Sequence, residues 1–322
     1  MAASADHIKA LVKSHSSGDD AAFYSVAMQV AARAARQGHH RLAADLKQLV
    51  EDARNRTTTA SVTPIVRPSS EISELVSASF PEVRMRDLVV SPIVRSKLDQ
   101  VITEQRQRHR LVEQGFHPAH RLLLEGPPGT GKTMTAAVLA YELNVPLLTI
   151  RLDAVFSKFM GETGAKLRQV FEATESQRGV YLFDEFDALG GNRSGNDVGE
   201  ARRILNSFLV FLEHASTESL VVASTNHRGI LDRALFRRFD VVITYSRPDQ
   251  EQAVAVLKGR LGSLGKGIAW ARVRAAADGL SHAELVKAAE SAAKAALLGG
   301  EKTVSTAGLT AAIDERSKSV VA

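Results

Sequence analysis

At 322 residues and 34.7 kDa, with 44% hydrophobic and 24% charged residues, the chain can bury a sizeable core, and its composition excludes collagen-like and disordered classes. It contains no cysteine, which removes disulfide scaffolds, thiolate nucleophiles and cysteine-ligated zinc. The formal net charge of +5 is spread over interspersed acidic and basic residues and reads as a mixed solvated surface rather than a dedicated nucleic-acid patch.

The N-terminal stretch lacks an unbroken apolar run, and no later stretch reaches the ~20 apolar residues of a spanning helix. A cytoplasmic protein with no membrane span is expected. Residues 1–56 read as a small module of short helices. Asp19 and Asp20 are N-cap candidates, Phe23, Val26 and Val30 keep helical spacing, Gly38 is a stop, and Leu42, Leu46, Leu49 and Val50 form the next apolar stripe. Residues 57–82, rich in Thr, Ser and Pro without a sustained period, read as a linker.

Between 83 and 247, short apolar β-rich runs at 122–124, 146–152, 180–183, 220–223 and 241–245 alternate with helical patterns. That alternation predicts an α/β domain with a five-stranded parallel sheet and flanking helices. From 248 to 322 the β signal vanishes, and a small all-α domain is expected. Ser281 and Glu284 form a capping box there, and Gly299 and Gly300 stop the Ala-rich helix that follows.

The run Gly126, Pro127, Pro128, Gly129, Thr130, Gly131, Lys132, Thr133 follows the first predicted strand and opens the helix that Met134 continues. In that context it is a P-loop, so a P-loop NTPase fold is expected. The glycines let the backbone wrap a phosphate chain, and the loop N–H groups and the helix N-terminus favour anions. Lys132 reaches the terminal phosphates and the Thr133 hydroxyl ligates Mg²⁺. ATP and Mg²⁺ are the expected ligands.

Some fifty residues on, the apolar run 180–183 ends in Asp184 and Glu185. Asp184 suits the Mg²⁺ shell, and Glu185 suits orientation or deprotonation of the attacking water. The next run ends at Asn226, whose amide suits the water or the γ-phosphate, with a turn-forming asparagine as the alternative. Arg237 and Arg238 stand in a polar turn before the last strand. Guanidinium groups neutralise charge on a transferring phosphoryl group and can be supplied in trans, and a surface ion-pairing role fits the residues equally.

In this order the motifs resemble the AAA ATPases, over residues from about 84 to 317. The adjacent Arg237 and Arg238 look like the katanin and spastin branch, and both are candidates for the phosphate contact. The resemblance makes 83–247 the large ATPase domain, 248–322 a lid, and 1–56 a recruitment module. It also makes Lys158, Phe159 and Met160 the pore loop that grips a polypeptide, where the residues alone leave Phe159 open to a core role. Residues 191–200 match the second pore loop. His282 begins the lid helix that AAA proteins place over the nucleotide; it is a candidate for the base or ribose, with a solvent-facing capping position as the alternative.

The implied function is Mg²⁺-dependent ATP hydrolysis by a homo-hexameric ring that remodels, unfolds or disassembles a protein substrate. A separately encoded partner such as a protease is implied by similarity to stand-alone bacterial AAA ATPases. Two other classes compete: a nucleic-acid motor or loader, which the basic balance suits less well than the Phe159 pattern suits a peptide, and an ATP-gated scaffold that threads nothing.

Overall fold

The computed structural model describes residues 20–36, 70–155, 162–189, 198–226 and 236–321, with isolated positions between 38 and 50. It divides into two compact units, Met1–Pro64 and Ile65–Ala322.

In the first unit, α1 spans Asp20–Arg36. Its buried stripe is Ala27, Ala31 and Ala34, one position on from the half-buried Val26 and Val30 that the periodicity singled out. Gly38 ends it as expected. At φ 84° it lets its own N–H reach Ala35 O at 3.1 Å and the His39 N–H reach Ala34 O at 2.9 Å, which satisfies the last carbonyls of the helix. Leu42, Leu46 and Leu49 lie outside the described residues.

The second unit opens with α2 (Ser70–Leu75), β1 (Val76–Ser79), α3 (Pro92–Arg106) and α4 (Arg108–Glu113). Then come β2 (Arg121–Glu125), α5 (Lys132–Leu143), β3 (Leu147–Ile150), α6 (Leu152–Val155), α7 (Glu162–Ser176) and β4 (Val180–Phe183). They are followed by α8 (Val198–Glu213), β5 (Leu220–Thr225) and β6 (Val241–Thr244). The sheet order is β1-β3-β4-β5-β2-β6.

The five strands expected from the sequence pair in parallel, but the sheet has six strands. The sixth, β1, runs antiparallel to β3 at the edge and lies inside the segment read as a linker. Only Val76 of its four residues is buried, so the apolar signal that marks an interior strand is missing there.

Alternate strand residues feed two cores. Leu123, Tyr181, Phe183 and Val221 pack with Phe171 of α7 and Phe208 of α8, while Leu122, Leu124, Leu182 and Val222 pack with Leu98 of α3 and Leu139 of α5. A third core belongs to the helices that follow the sheet, α9 (Gln250–Leu261), α10 (Trp270–Ala276), α11 (His282–Leu298) and α12 (Thr306–Val321), and is built from Leu257, Leu285, Ala289 and Ile313. Among the described residues no helix is long and apolar enough to cross a membrane.

Candidate active site

The parallel register brings the C-terminal ends of β4, β5 and β2 side by side, and the predicted site residues sit at those ends. The loop after β2 closes tightly at Gly126. A Cβ there would lie 2.4 Å from Tyr245 O, and its φ of 148° is one that side chains rarely adopt.

The loop delivers Lys132 to the head of α5. Its ammonium donates to Gly126 O, Pro127 O and Asn226 Oδ1, each at 2.8 Å, so all three hydrogens are engaged. Burial pulls the Lys132 pKa below that of an ordinary lysine, opposed by the nearby Asp184, Asp187 and Glu185 carboxylates. The Thr130 hydroxyl turns back to Pro127 O at 2.8 Å and braces the loop.

The Thr133 hydroxyl donates to Asp184 Oδ2 at 2.7 Å, bringing together the two residues expected to share a magnesium ion. The other oxygen of Asp184 accepts from the Ser224 hydroxyl, and Ser224 Oγ in turn accepts from the Glu185 N–H at 3.3 Å. Glu185 itself has φ 52°, a left-handed backbone that costs a residue with a Cβ on the order of 1 kcal/mol. The neighbouring Phe186 is fully buried, its ring centroid 4.4 Å from that of Phe208, and this anchor holds the turn. Asn226 uses its side-chain oxygen on Lys132 and its backbone N–H on Asp187 Oδ1 at 3.3 Å.

These groups border one cavity of about 520 Å³. Pro128, Gly129, Gly131, Lys132, Thr133, Met134, Asp184, Glu185 and Asn226 line it, and His282, Ala283, Val286, Lys287 and Glu290 of α11 form the facing wall. His282 is half-buried at the first position of α11 rather than solvent-facing, and the N-cap is Ser281. Its Nε2 lies 3.0 Å from Val89 O.

Residues 122–247 match the model of the ATPase family associated with various cellular activities (AAA). An AAA family ATPase of Sinorhizobium fredii, y4kL, is 31% identical over 304 residues, which cover 94% of this chain and 92% of that protein. The chain belongs to the AAA family of ATPases. The ATP-dependent zinc metalloprotease FtsH of Helicobacter pylori (strain J99) is 30% identical over 255 residues, 75% of this chain but 40% of that protein. The ATPase family gene 2 protein of Saccharomyces cerevisiae is 38% identical over 149 residues, 44% of this chain and 19% of that protein.

In this AAA ATPase, Arg237 and Arg238 do not line the cavity. Arg238 forms an ion pair with Glu213 at the end of α8, while Arg237 is exposed and engages no described residue. The turn that carries them is anchored by Asp240. One oxygen of Asp240 accepts the backbone N–H groups of His120 and Arg121 at 3.0 Å each, and the other accepts from Arg121 Nε at 3.1 Å. Burial alone would raise the Asp240 carboxyl, but these hydrogen bonds and the nearby His120 outweigh it and hold the pKa low. Lys158, Phe159 and Met160, and most of 191–200, lie outside the described residues.

Ser224, Asp187 and Asp240 were not singled out in the sequence. A signal for Ser224 did exist: β4 and β5 pair Phe183 with Ala223, which sets the next residues, Asp184 and Ser224, level with each other.

Proposed function

We propose that this ATPase works as a closed homo-hexameric ring that uses Mg²⁺-dependent ATP hydrolysis to remodel or unfold a protein substrate. The observation that carries the reading is the split of the phosphate-handling groups. Lys132, Thr133, Asp184, Glu185 and Asn226 share one cavity with no arginine among its described lining residues, while Arg237 stands exposed outside it and engages no described residue. A site of this kind is completed by a guanidinium from a neighbouring copy, which makes assembly part of catalysis.

Lys132 exchanges its two carbonyl acceptors, Gly126 O and Pro127 O, for phosphate oxygens, and the loop N–H groups carry the rest of the anion. The oxygens of Thr133 and Asp184, already 2.7 Å apart, suit a hard cation and would hold Mg²⁺, which would supply neutralisation of the phosphate charge. Glu185, fixed in its left-handed turn, orients and deprotonates the attacking water. Asn226 keeps Lys132 in line.

Protein as the substrate class is supported by the FtsH relatives, which are named ATP-dependent zinc metalloproteases. In this reading Lys158, Phe159 and Met160 form the grip on an extended peptide, residues 1–56 recruit the target, and a protease partner is encoded separately. Two variants test it. Glu185→Gln in the presence of ATP should sediment as a hexamer and retain client protein, and Phe159→Ala should keep basal ATPase while losing unfolding of that client. A Glu185→Gln protein that stays monomeric with ATP would count against the ring, and a Phe159→Ala protein with undiminished remodelling would count against threading.

A further inference from the structure

The turn that carries Arg237 is held from both sides. Phe236 and Phe239 pack into the core of Phe171 and Phe208, and Asp240, next along, is bound by its backbone and its side chain together. The Asp240 N–H donates to Arg121 O at 2.9 Å. Its carboxylate accepts from the backbone N–H groups of His120 and Arg121 at 3.0 Å each, and from the Arg121 guanidinium through both Nε and Nη2. The ring Nδ1 of the buried His120 stands 3.2 Å from the oxygen that takes the two backbone bonds. None of the bonds to the carboxylate belongs to the strand ladder, and charge-assisted bonds of this kind are strong and directional.

Arg121 opens β2, and β2 ends in the phosphate loop. Strand β6 runs beside it from the pair Leu122 and Val241 to the pair Glu125 and Thr244. At that far end the Tyr245 N–H donates to Glu125 O at 2.7 Å and the Thr244 hydroxyl to Glu125 Oε1 at 2.6 Å, immediately before Gly126. One two-stranded ribbon thus carries the subunit's own phosphate loop at one end and the turn leading to Arg237 at the other. The Arg237 side chain is exposed and engages no described residue, so its placement follows from the backbone that bears it. Displacing a group that must meet a transferring phosphoryl by about 1 Å can cost ~10²-fold in rate.

We propose that Asp240 is a positioning residue for the arginine that each subunit lends to its neighbour: by gripping the start of β2 it fixes where Arg237 is presented, and it serves the neighbour's site rather than its own. Asp240 acts through Arg237 and touches no reacting atom. This inference rests on the ring reading above, in which Arg237 works in trans, and adds to it the group that aims the donor.

The test is ATP hydrolysis by full-length proteins mixed in equal amounts, because mixing separates a subunit that cannot give from one that cannot receive. Asp240→Asn alone should hydrolyse ATP roughly ten-fold more slowly than wild type. Mixed with Glu185→Gln, which keeps a well-placed Arg237, its intact sites should be served, and the rate should rise to roughly five-fold above the mean of the two proteins assayed apart. Mixed with Arg237→Ala it should stay within about two-fold of that mean, since neither partner then presents a placed arginine. A general loss of folding or of the subunit's own site gives the opposite pattern, with recovery beside Arg237→Ala and none beside Glu185→Gln. Arg121→Gln removes the guanidinium bonds and leaves the two backbone N–H groups on Asp240, and it should repeat the Asp240→Asn pattern more weakly; it decides the matter if Asp240→Asn does not assemble. A wild-type rate for both variants, or recovery beside Arg237→Ala, overturns the assignment while leaving the trans arginine in place. Failure of Arg237→Ala and Glu185→Gln to restore one another overturns the ring reading and this inference together.

Discussion

The Ser224 hydroxyl at the end of β5 donates to the Asp184 carboxylate at the end of β4, and the same Ser224 oxygen accepts the Glu185 N–H at 3.3 Å. Thr133 reaches the other carboxylate oxygen at 2.7 Å from the head of α5. A hydroxyl on the neighbouring strand thus orients Asp184 and the backbone of Glu185, and ties both to the phosphate loop.

Removing that hydroxyl should loosen the Asp184 carboxylate without touching ATP directly. Ser224→Ala is expected to raise the Mg²⁺ concentration needed for half-maximal hydrolysis by roughly ten-fold, the scale seen when an outer partner of a metal-binding group is lost. A Mg²⁺ titration of phosphate release at saturating ATP checks this; an unchanged titration would mean that Thr133 alone holds Asp184.

Glu185→Gln keeps the shape of the side chain and removes the base. Hydrolysis should fall by ~10²–10⁴-fold, while the equilibrium affinity for ATP changes little. Phosphate release and nucleotide binding on the same preparation separate the two, and a comparable loss in both would make Glu185 a binding residue.

The Asp240 anchor should show itself in stability. Asp240→Asn breaks charge-assisted bonds from Arg121 and the His120 backbone, and a loss of about 1–3 kcal/mol is expected, seen as a Tm lower by a few degrees. The sign with pH follows from the depressed carboxyl. With the folded pKa below the unfolded one, the contribution is full above the ordinary carboxylate range and is lost as pH falls through the folded value. The Tm difference between wild type and variant should be widest near neutral pH and close below about pH 4. Burial lowers His120 as well, so its neutral form also favours the folded state at higher pH, with the same sign.

Much of the site was legible because the phosphate loop encodes its own geometry. Gly126 must be glycine where the chain passes Tyr245, Lys132 must follow at the helix head, and a buried run ending in two carboxylates belongs at a neighbouring strand end. The supporting contacts were not legible, since each joins residues far apart in sequence. His282 meets Val89 across 193 positions and Asp240 meets the His120 backbone across 120, and no periodicity reports such pairs. Strand β1 escaped notice for a different reason: an edge strand with a single buried residue has nothing to distinguish its composition from a linker's. Arg237 and Arg238 looked equivalent in sequence, and only the α8 terminus, with Glu213, separates them.

The central claim is that hydrolysis in one subunit is finished by Arg237 of the next, and mixing two inactive proteins tests it most directly. Arg237→Ala and Glu185→Gln should each hydrolyse ATP at least ~10²-fold more slowly than wild type when assayed alone. Combined, they should regain activity, because a subunit that keeps Glu185 can then sit beside one that keeps Arg237. Full activity of Arg237→Ala on its own, or a wild-type rate proportional to concentration down to the isolated monomer, would contradict the account.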